Sequence, residues 1–268
     1  AKLDLSKPNL FGVLNKTPDS FSDNNFGKSL DCLVLIAKNM VLNGASVIDV
    51  GGESSKPGAT YVNSKSEKIR ILPLIQRLKK ENINISIDTR KKEIMHTSLE
   101  EGVNIINDIS GFRRKDNINT ILHNYKKNKN PIYIIIMHMQ GYPKNMQINP
   151  KYKFAPIDIF EYLKKKIDIF LDLGFPLENI AIDPGIGFGK NDLHNLQIIK
   201  WVSLFHGLGV PVMLGLSRKS IISRLSNNEE PKYRLPGSIA LTMNAIKSGV
   251  QLIRTHDIKE TSQAIKVE

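Results

Sequence analysis

The sequence predicts an α/β protein built as a single (β/α)8 TIM barrel, and three observations carry that expectation. Eight short apolar runs alternate with eight helical patterns along 268 residues. Such alternation implies βαβ units and a parallel sheet, and eight of them imply closure into a barrel. The polar residues that most need explaining also fall just after the apolar runs, which a barrel gathers on one rim. No break in composition marks a linker, so residues 1–268 read as one domain.

Taken in order, residues 10–14 form the first strand, ending at Asn15 and opening into Thr17-Pro18-Asp19-Ser20-Phe21-Ser22-Asp23. A helix over about 30–42 is closed by Gly44. The second strand, 46–50, ends in Gly51-Gly52-Glu53-Ser54-Ser55-Lys56-Pro57-Gly58, ahead of a helix over about 64–80. Strand three, 83–87, ends at Asp88-Thr89-Arg90 and feeds a helix over about 92–101. Strand four, 104–106, ends at Asn107-Asp108, with its helix at about 117–127. Strand five, 132–137, ends at His138-Met139 and a loop through Gly141 and Pro143, before a long helix over about 158–173. The sixth run, 179–182, leads into a glycine-rich loop and a helix over about 192–205. Strand seven, 210–215, precedes Leu216-Ser217-Arg218-Lys219-Ser220. A helix near 238–248 feeds strand eight, 252–254, and Thr255-His256-Asp257 opens the terminal helix. The loops after strands one and two are rich in Gly, Ser, Asp and Pro, a composition that predicts mobility.

Composition narrows the function classes. The single cysteine, Cys32, provides neither a disulfide framework nor a thiolate metal site, as expected in a cytoplasmic protein. The longest apolar run, 132–137, is too short to span a bilayer, and no signal peptide precedes Leu10, so no membrane partner is expected. A net charge of +12 invites a nucleic-acid reading. The lysines, however, are spread over helix faces (Lys79-Lys80, Lys164-Lys165-Lys166) and a turn (Lys126-Lys127), with no aromatic platform among them. They read as a solvated basic surface that favours anionic substrates.

The stretch Asp183-Pro184-Gly185-Ile186-Gly187-Phe188-Gly189-Lys190 organises the chemistry. A strand ending in an acid, then a glycine-rich loop, then a helix, lets backbone approach a ligand that the acid recognises. It is not a Walker loop, which needs glycine where Pro184 stands, nor a dinucleotide fingerprint, since Lys190 takes the place of the third glycine. Taken singly, Asp88 also fits a helix N-cap, Asn107 a turn and His138 a core position. Together with Asn15, Glu53, Asp183, Lys219, Arg254 and His256 at the other strand ends, they favour a site. Asp88, Asn107 and Asp183 suit a flat heterocycle rich in N–H donors. Lys219, Arg254 and His256 make a cationic corner where barrels hold phosphate. Asn15 joins that corner directly or through Mg²⁺, which prefers hard oxygen ligands. No cluster has zinc spacing and no residue looks like an activated covalent nucleophile. The implied chemistry is displacement of a phosphate-type leaving group by positioning and electrostatics.

These residues carry a resemblance. The chain resembles dihydropteroate synthases over essentially its full length. The matching stretches are Leu14-Asn15 with Thr17–Asp23, Asp49-Val50-Gly51-Gly52-Glu53-Ser54, Ser86-Ile87-Asp88-Thr89 and Ile106-Asn107-Asp108-Ile109. They continue with Met137-His138-Met139-Gln140-Gly141, the 183–190 motif, Ser217-Arg218-Lys219-Ser220, and Arg254 with His256-Asp257. The resemblance implies condensation of 6-hydroxymethyl-7,8-dihydropterin pyrophosphate with 4-aminobenzoate, by a dissociative displacement of pyrophosphate, on the folate pathway. It implies that Asp88, Asn107, Asp183 and Lys219 bind the pterin, with Met137, Phe188 and Gly215 lining its slot. Asn15, Arg254 and His256 would hold the pyrophosphate with Mg²⁺, and Asp23 would stabilise a cationic pterin intermediate. Phe21, Ser55, Lys56, Pro57 and Ser220 match the 4-aminobenzoate subsite, where sulfonamides compete. The family also suggests a homodimer.

Five positions, in three places, depart from the family pattern. Lys16 stands where a small apolar residue is usual; alternation along the strand points it away from the site if Asn15 points in. Ser55-Lys56 replace Thr-Arg, exchanging a planar fork for a point charge. Asn24-Asn25 replace Gly-Gly, which stiffens the first loop.

Overall fold

The computed structural model describes residues 3–17, 27–128 and 130–268. The eight apolar runs become strands because both of their faces are buried, one against helices and the other inside the barrel. The strands are β1 (Asn9–Asn15), β2 (Ala45–Gly51), β3 (Ile85–Asp88), β4 (Ile105–Asp108), β5 (Tyr133–Met137), β6 (Ile180–Asp183), β7 (Met213–Gly215) and β8 (Leu252–Thr255). All neighbours pair in parallel in the order β6-β5-β4-β3-β2-β1-β8-β7. A bridge between Ile182 and Val212, with the Ile182 N–H donating to the Pro211 carbonyl at 2.9 Å, joins the two ends and closes the circle.

The helices wrap the outside: α1 (Leu30–Leu42), α2 (Ser64–Lys80), α3 (Lys92–Glu100), α4 (Lys115–Lys127), α5 (Ala155–Asp172), α6 (Asp192–Lys200), α7 (Ser220–Leu225), α8 (Leu235–Lys247) and α9 (Ile258–Val267). Several begin at side-chain caps that satisfy an otherwise unpaired N–H. Ser29 accepts from Cys32 N, Asn63 from Ser66 N and Asn191 from His194 N. Outward strand residues such as Ile48, Ile87, Ile106, Ile134 and Ile182 pack on the helices in one continuous apolar core.

Several details differ from the sequence expectation: strand seven, expected over 210–215, is only Met213–Gly215, and strand three, expected over 83–87, is Ile85–Asp88. The helix expected over 192–205 stops at Lys200 and continues as a 3-10 segment, Val202–Leu208. The helix α7 was not expected. Its six residues are too few to show an amphipathic period.

Side-chain alternation decides what faces the barrel axis. The paired registers place Phe11, Val47, Ile105, Ile135, Ala181, Met213 and Leu252 inside, and these form a separate apolar plug. Two residues further along the same strands stand Val13, Asp49, Asn107, Met137, Asp183, Gly215 and Arg254. Asp88 of β3 is in register with Asn107 and joins them. The inner surface therefore turns from apolar to polar in one step toward the C-terminal rim. That step makes the floor of the site.

Candidate active site

The slot above this floor is lined by Asp88, Asn107, Met137, Asp183, Gly215 and Arg254 from the strands, and by Ser55, Ile109, Ile186, Phe188 and Lys219 from the loops. Nine of the residues that the resemblance places around the ligands thus meet in one pocket. Phe21 and Asp23 lie outside the described residues, as do Asn24 and Asn25.

Arg254 is the electrostatic centre of the floor. Its Nε donates to Asp49 Oδ2 at 2.6 Å and its Nη2 to Asp88 Oδ2 at 3.0 Å. The Asn107 amide also points to Asp49 Oδ2, at 3.5 Å. One guanidinium thus serves two buried carboxylates, holding its own charge more firmly than usual against the cost of burial. Burial pushes the Asp88 carboxyl up to about 7, against the pull of Arg254 and with a further push from the Asp49 charge. Asp49 Oδ1 and Ser86 Oγ, register neighbours just below, have no hydrogen-bond partner among the described residues, which leaves acceptor capacity for water or ligand at the floor.

On the opposite wall, Asp183 Oδ1 accepts from the Gly185 N–H at 2.7 Å. Burial raises the Asp183 carboxyl, while that hydrogen bond and the charges of Lys219 and Lys190 pull it back. Lys219 lies with Nζ 4.2 Å from the centre of the Phe188 ring. Burial lowers its ammonium to about 8, with Asp183 opposing and Arg254 reinforcing the shift. A carboxylate, a lysine and an aromatic face therefore meet at one edge of the slot. A planar, N–H-rich ring could lie between that edge and the Asp88–Asn107 wall.

At the rim, Asn15 Oδ1 lies over Gly51, where an added Cβ would stand only 2.5 Å from it. Any side chain at that glycine would displace the amide. His256 shares a hydrogen bond with Ser217 Oγ at 3.0 Å, and its own N–H reaches the same oxygen at 3.2 Å. Burial, then Arg254, Arg218, Lys219 and Lys56, lowers the His256 imidazole well below its ordinary range. It is uncharged at neutral pH and contributes hydrogen bonding rather than charge to the expected cationic corner. Ser55 reaches the slot, whereas Lys56, Pro57 and Ser220 are exposed above it. Lys16 is half-buried, its N–H bonded to the Gly51 carbonyl at 2.9 Å.

Two strand-tip residues do not enter the slot. His138 is buried edge-on against Tyr162, their ring centres 4.8 Å apart. Glu53 staples the second loop to the turn after β3. It accepts from Arg90 Nε at 2.8 Å and Nη2 at 3.0 Å, from Lys91 Nζ at 2.9 Å, and from the Val62 N–H at 2.9 Å. Lys91 is shared with the buried Glu67, which also accepts from Thr89 at 2.8 Å. The base of that loop is thus anchored, and Gly58 N donates to the Pro143 carbonyl at 3.0 Å near its tip. Asp49 falls in one of the matching stretches but is given no role there, although an acid two residues beyond Val47 in a buried strand was the available signal. Among the described residues no three His, Cys, Asp or Glu side chains converge as a metal site, so Asn15 offers a hard cation a single amide oxygen.

A profile of the family described as pterin binding enzyme matches residues 11–256. The dihydropteroate synthase of Escherichia coli (strain K12) is 39% identical over 266 residues, covering 99% of this chain and 92% of that protein. The chain belongs to the dihydropteroate synthase family. The synthase of Haemophilus influenzae is 36% identical over 99% of this chain and 94% of its own length. Among solved structures, Yersinia pestis dihydropteroate synthase in a sulfonamide drug complex superposes with a TM-score of 0.94 at 36% identity, covering 100% of this chain and 95% of that one. The Xanthomonas albilineans dihydropteroate synthase, solved with 4-aminobenzoic acid, gives 0.89 at 33% identity, covering 99% and 93%. The whole barrel is therefore that of the synthase family.

Proposed function

We propose that the protein is a transferase that condenses 6-hydroxymethyl-7,8-dihydropterin pyrophosphate with 4-aminobenzoate, giving 7,8-dihydropteroate and pyrophosphate. The observation that carries this reading is the slot itself. Asp88 and Asn107 face Asp183, Lys219 and Phe188 across a space lined by Met137 and Gly215. The carboxylates and the amide accept the N–H donors of a pterin, and Lys219 donates to its acceptors while packed on Phe188. Arg254 at the floor and His256 at the rim border the side from which a pyrophosphate on the 6-methylene would emerge. The pyrophosphate leaves with the C–O bonding pair. The arylamine nitrogen then forms the C–N bond and loses its proton. A dissociative order suits these residues, because among the described residues no strong base faces the slot and the buried acids stabilise a developing pterin cation.

Magnesium fits this arrangement through Asn15 and the ligand's phosphate oxygens and waters, where it would neutralise charge on the leaving group. Ser55, with Lys56, Pro57 and Ser220 above it, takes 4-aminobenzoate and the sulfonamides that mimic it. The same proposal includes a homodimer; the exposed Leu193, Leu196 and Trp201 on and just after α6 give self-association an apolar surface to cover. It also includes a cytoplasmic location. No helix among the described residues is long and apolar enough to cross a membrane.

The test is product identification. Pterin pyrophosphate and 4-aminobenzoate should yield 7,8-dihydropteroate by mass spectrometry, with a sulfonamide competing against 4-aminobenzoate. Inhibition that ignores the 4-aminobenzoate concentration would contradict the subsite assignment.

A further inference from the structure

Lys190 ends the glycine motif and is only 1% exposed. Its Nζ meets three neutral acceptors: His138 Nδ1 at 3.0 Å, the His138 carbonyl at 3.3 Å and the Phe188 carbonyl at 2.9 Å. A buried ammonium whose hydrogen bonds all go to neutral groups is among the costlier features a core can contain. Burial drives its proton affinity far down, with only Asp183 opposing. A methionine would fill the same space without that cost, so the amine is there for its hydrogen bonds.

Those bonds join two segments that both reach the slot. His138 begins the turn after β5, directly beyond Met137 of the slot. Phe188 belongs to the glycine loop after β6, and its ring carries Lys219. Gly185 in that loop has φ +73° and backs onto the His138 carbonyl so closely that no side chain fits there. The Gly185 N–H in turn holds Asp183 Oδ1. The imidazole of His138 is kept neutral by burial and by the charges of Lys190 and Arg113, which leaves Nδ1 free to accept.

We propose that Lys190 is a positioning residue of the pterin slot: it clamps the 183–190 loop onto the turn after β5 and so sets Phe188, Lys219 and Asp183 against the heterocycle. It does not touch substrate. The ligand named here rests on the synthase reading; the clamp does not.

The test compares the full-length chain with Lys190→Met, His138→Leu and His138→Asn. Hydrogen exchange of the 185–189 amides, measured without ligand, reads the clamp. The dissociation constant for the pterin pyrophosphate and the KM for 4-aminobenzoate at saturating pterin read its consequence. Losing one charge-assisted hydrogen bond corresponds to about tenfold. Lys190→Met should therefore speed loop exchange and weaken pterin binding by about tenfold or more, with 4-aminobenzoate KM within about twofold of wild type. His138→Leu should show a smaller loss that His138→Asn, which keeps an acceptor near Nδ1, restores. Unchanged loop exchange and pterin affinity in Lys190→Met overturns the proposal, as does an equal loss for both substrates. If Lys190→Met does not fold, equal behaviour of the two His138 variants overturns it. A wild-type chain that binds no pterin would sink the synthase reading, and loop exchange would still decide the clamp.

Discussion

Arg254 stands between Asp49 and Asp88, with one guanidinium set against two buried carboxylates. Removing the cation strands both acids, and breaking a buried pair in this way costs about 3–5 kcal/mol. We expect Arg254→Leu to lose stability of that order by chemical denaturation, and Asp49→Asn in the same chain to restore part of it. Independent, additive effects would contradict the pairing. Asp88 also gives the ligand-free protein a pH dependence of definite sign. Its carboxyl rises from 3.8 to about 7 on folding, so the folded state holds a proton that the unfolded chain has lost. Its contribution is complete at acid pH and disappears as pH rises through about 7. Asp88→Asn should flatten the fall of stability between about pH 4 and 7; an unchanged slope would refute the assignment. At this scale the sequence was partly legible. Residues at strand ends announced themselves by interrupting apolar runs, whereas Asp49 lies inside one, and its partner is 205 positions away along the chain. No local pattern reveals such a contact.

The glycine loop is the element on which the site depends most. Its left-handed Gly185 lets backbone meet backbone between the loop and the turn after β5. An alanine there combines backbone strain with a collision against the His138 carbonyl. We expect Gly185→Ala to abolish measurable pterin binding by calorimetry and to lower the melting temperature. Retained affinity would mean that the loop is less constrained than its geometry implies. Elements of this kind were readable as existing but not in detail. The alternation of strands and helices follows from burial on two faces, which leaves a strong trace in sequence. The short α7 and the 3-10 turn after Lys200 leave almost none, since neither is long enough to repeat an apolar face. The staple at Glu53 was hidden for a different reason: a rim acid looks the same in sequence whether it faces a ligand or, as here, Arg90 and Lys91.

In the molecule as a whole, one step along β2, β4, β6 and β8 converts an apolar plug into a polar floor. That arrangement separates stability from chemistry: Phe11, Val47 and Met213 fill the barrel below, while Arg254, Asp88 and Asp183 work above. The family kinship and the geometry meet at that floor, and the central claim is that it holds a pterin while pyrophosphate departs. The most direct measurement is pyrophosphate release from the pterin pyrophosphate with Mg²⁺, with and without 4-aminobenzoate, beside an Asp183→Ala control. The account predicts release coupled to dihydropteroate formation in the wild type and none in the control. Tight pterin binding without turnover would contradict it, and would mark the chain as a binding protein whose departures at Lys16, Ser55 and Lys56 removed the synthase activity.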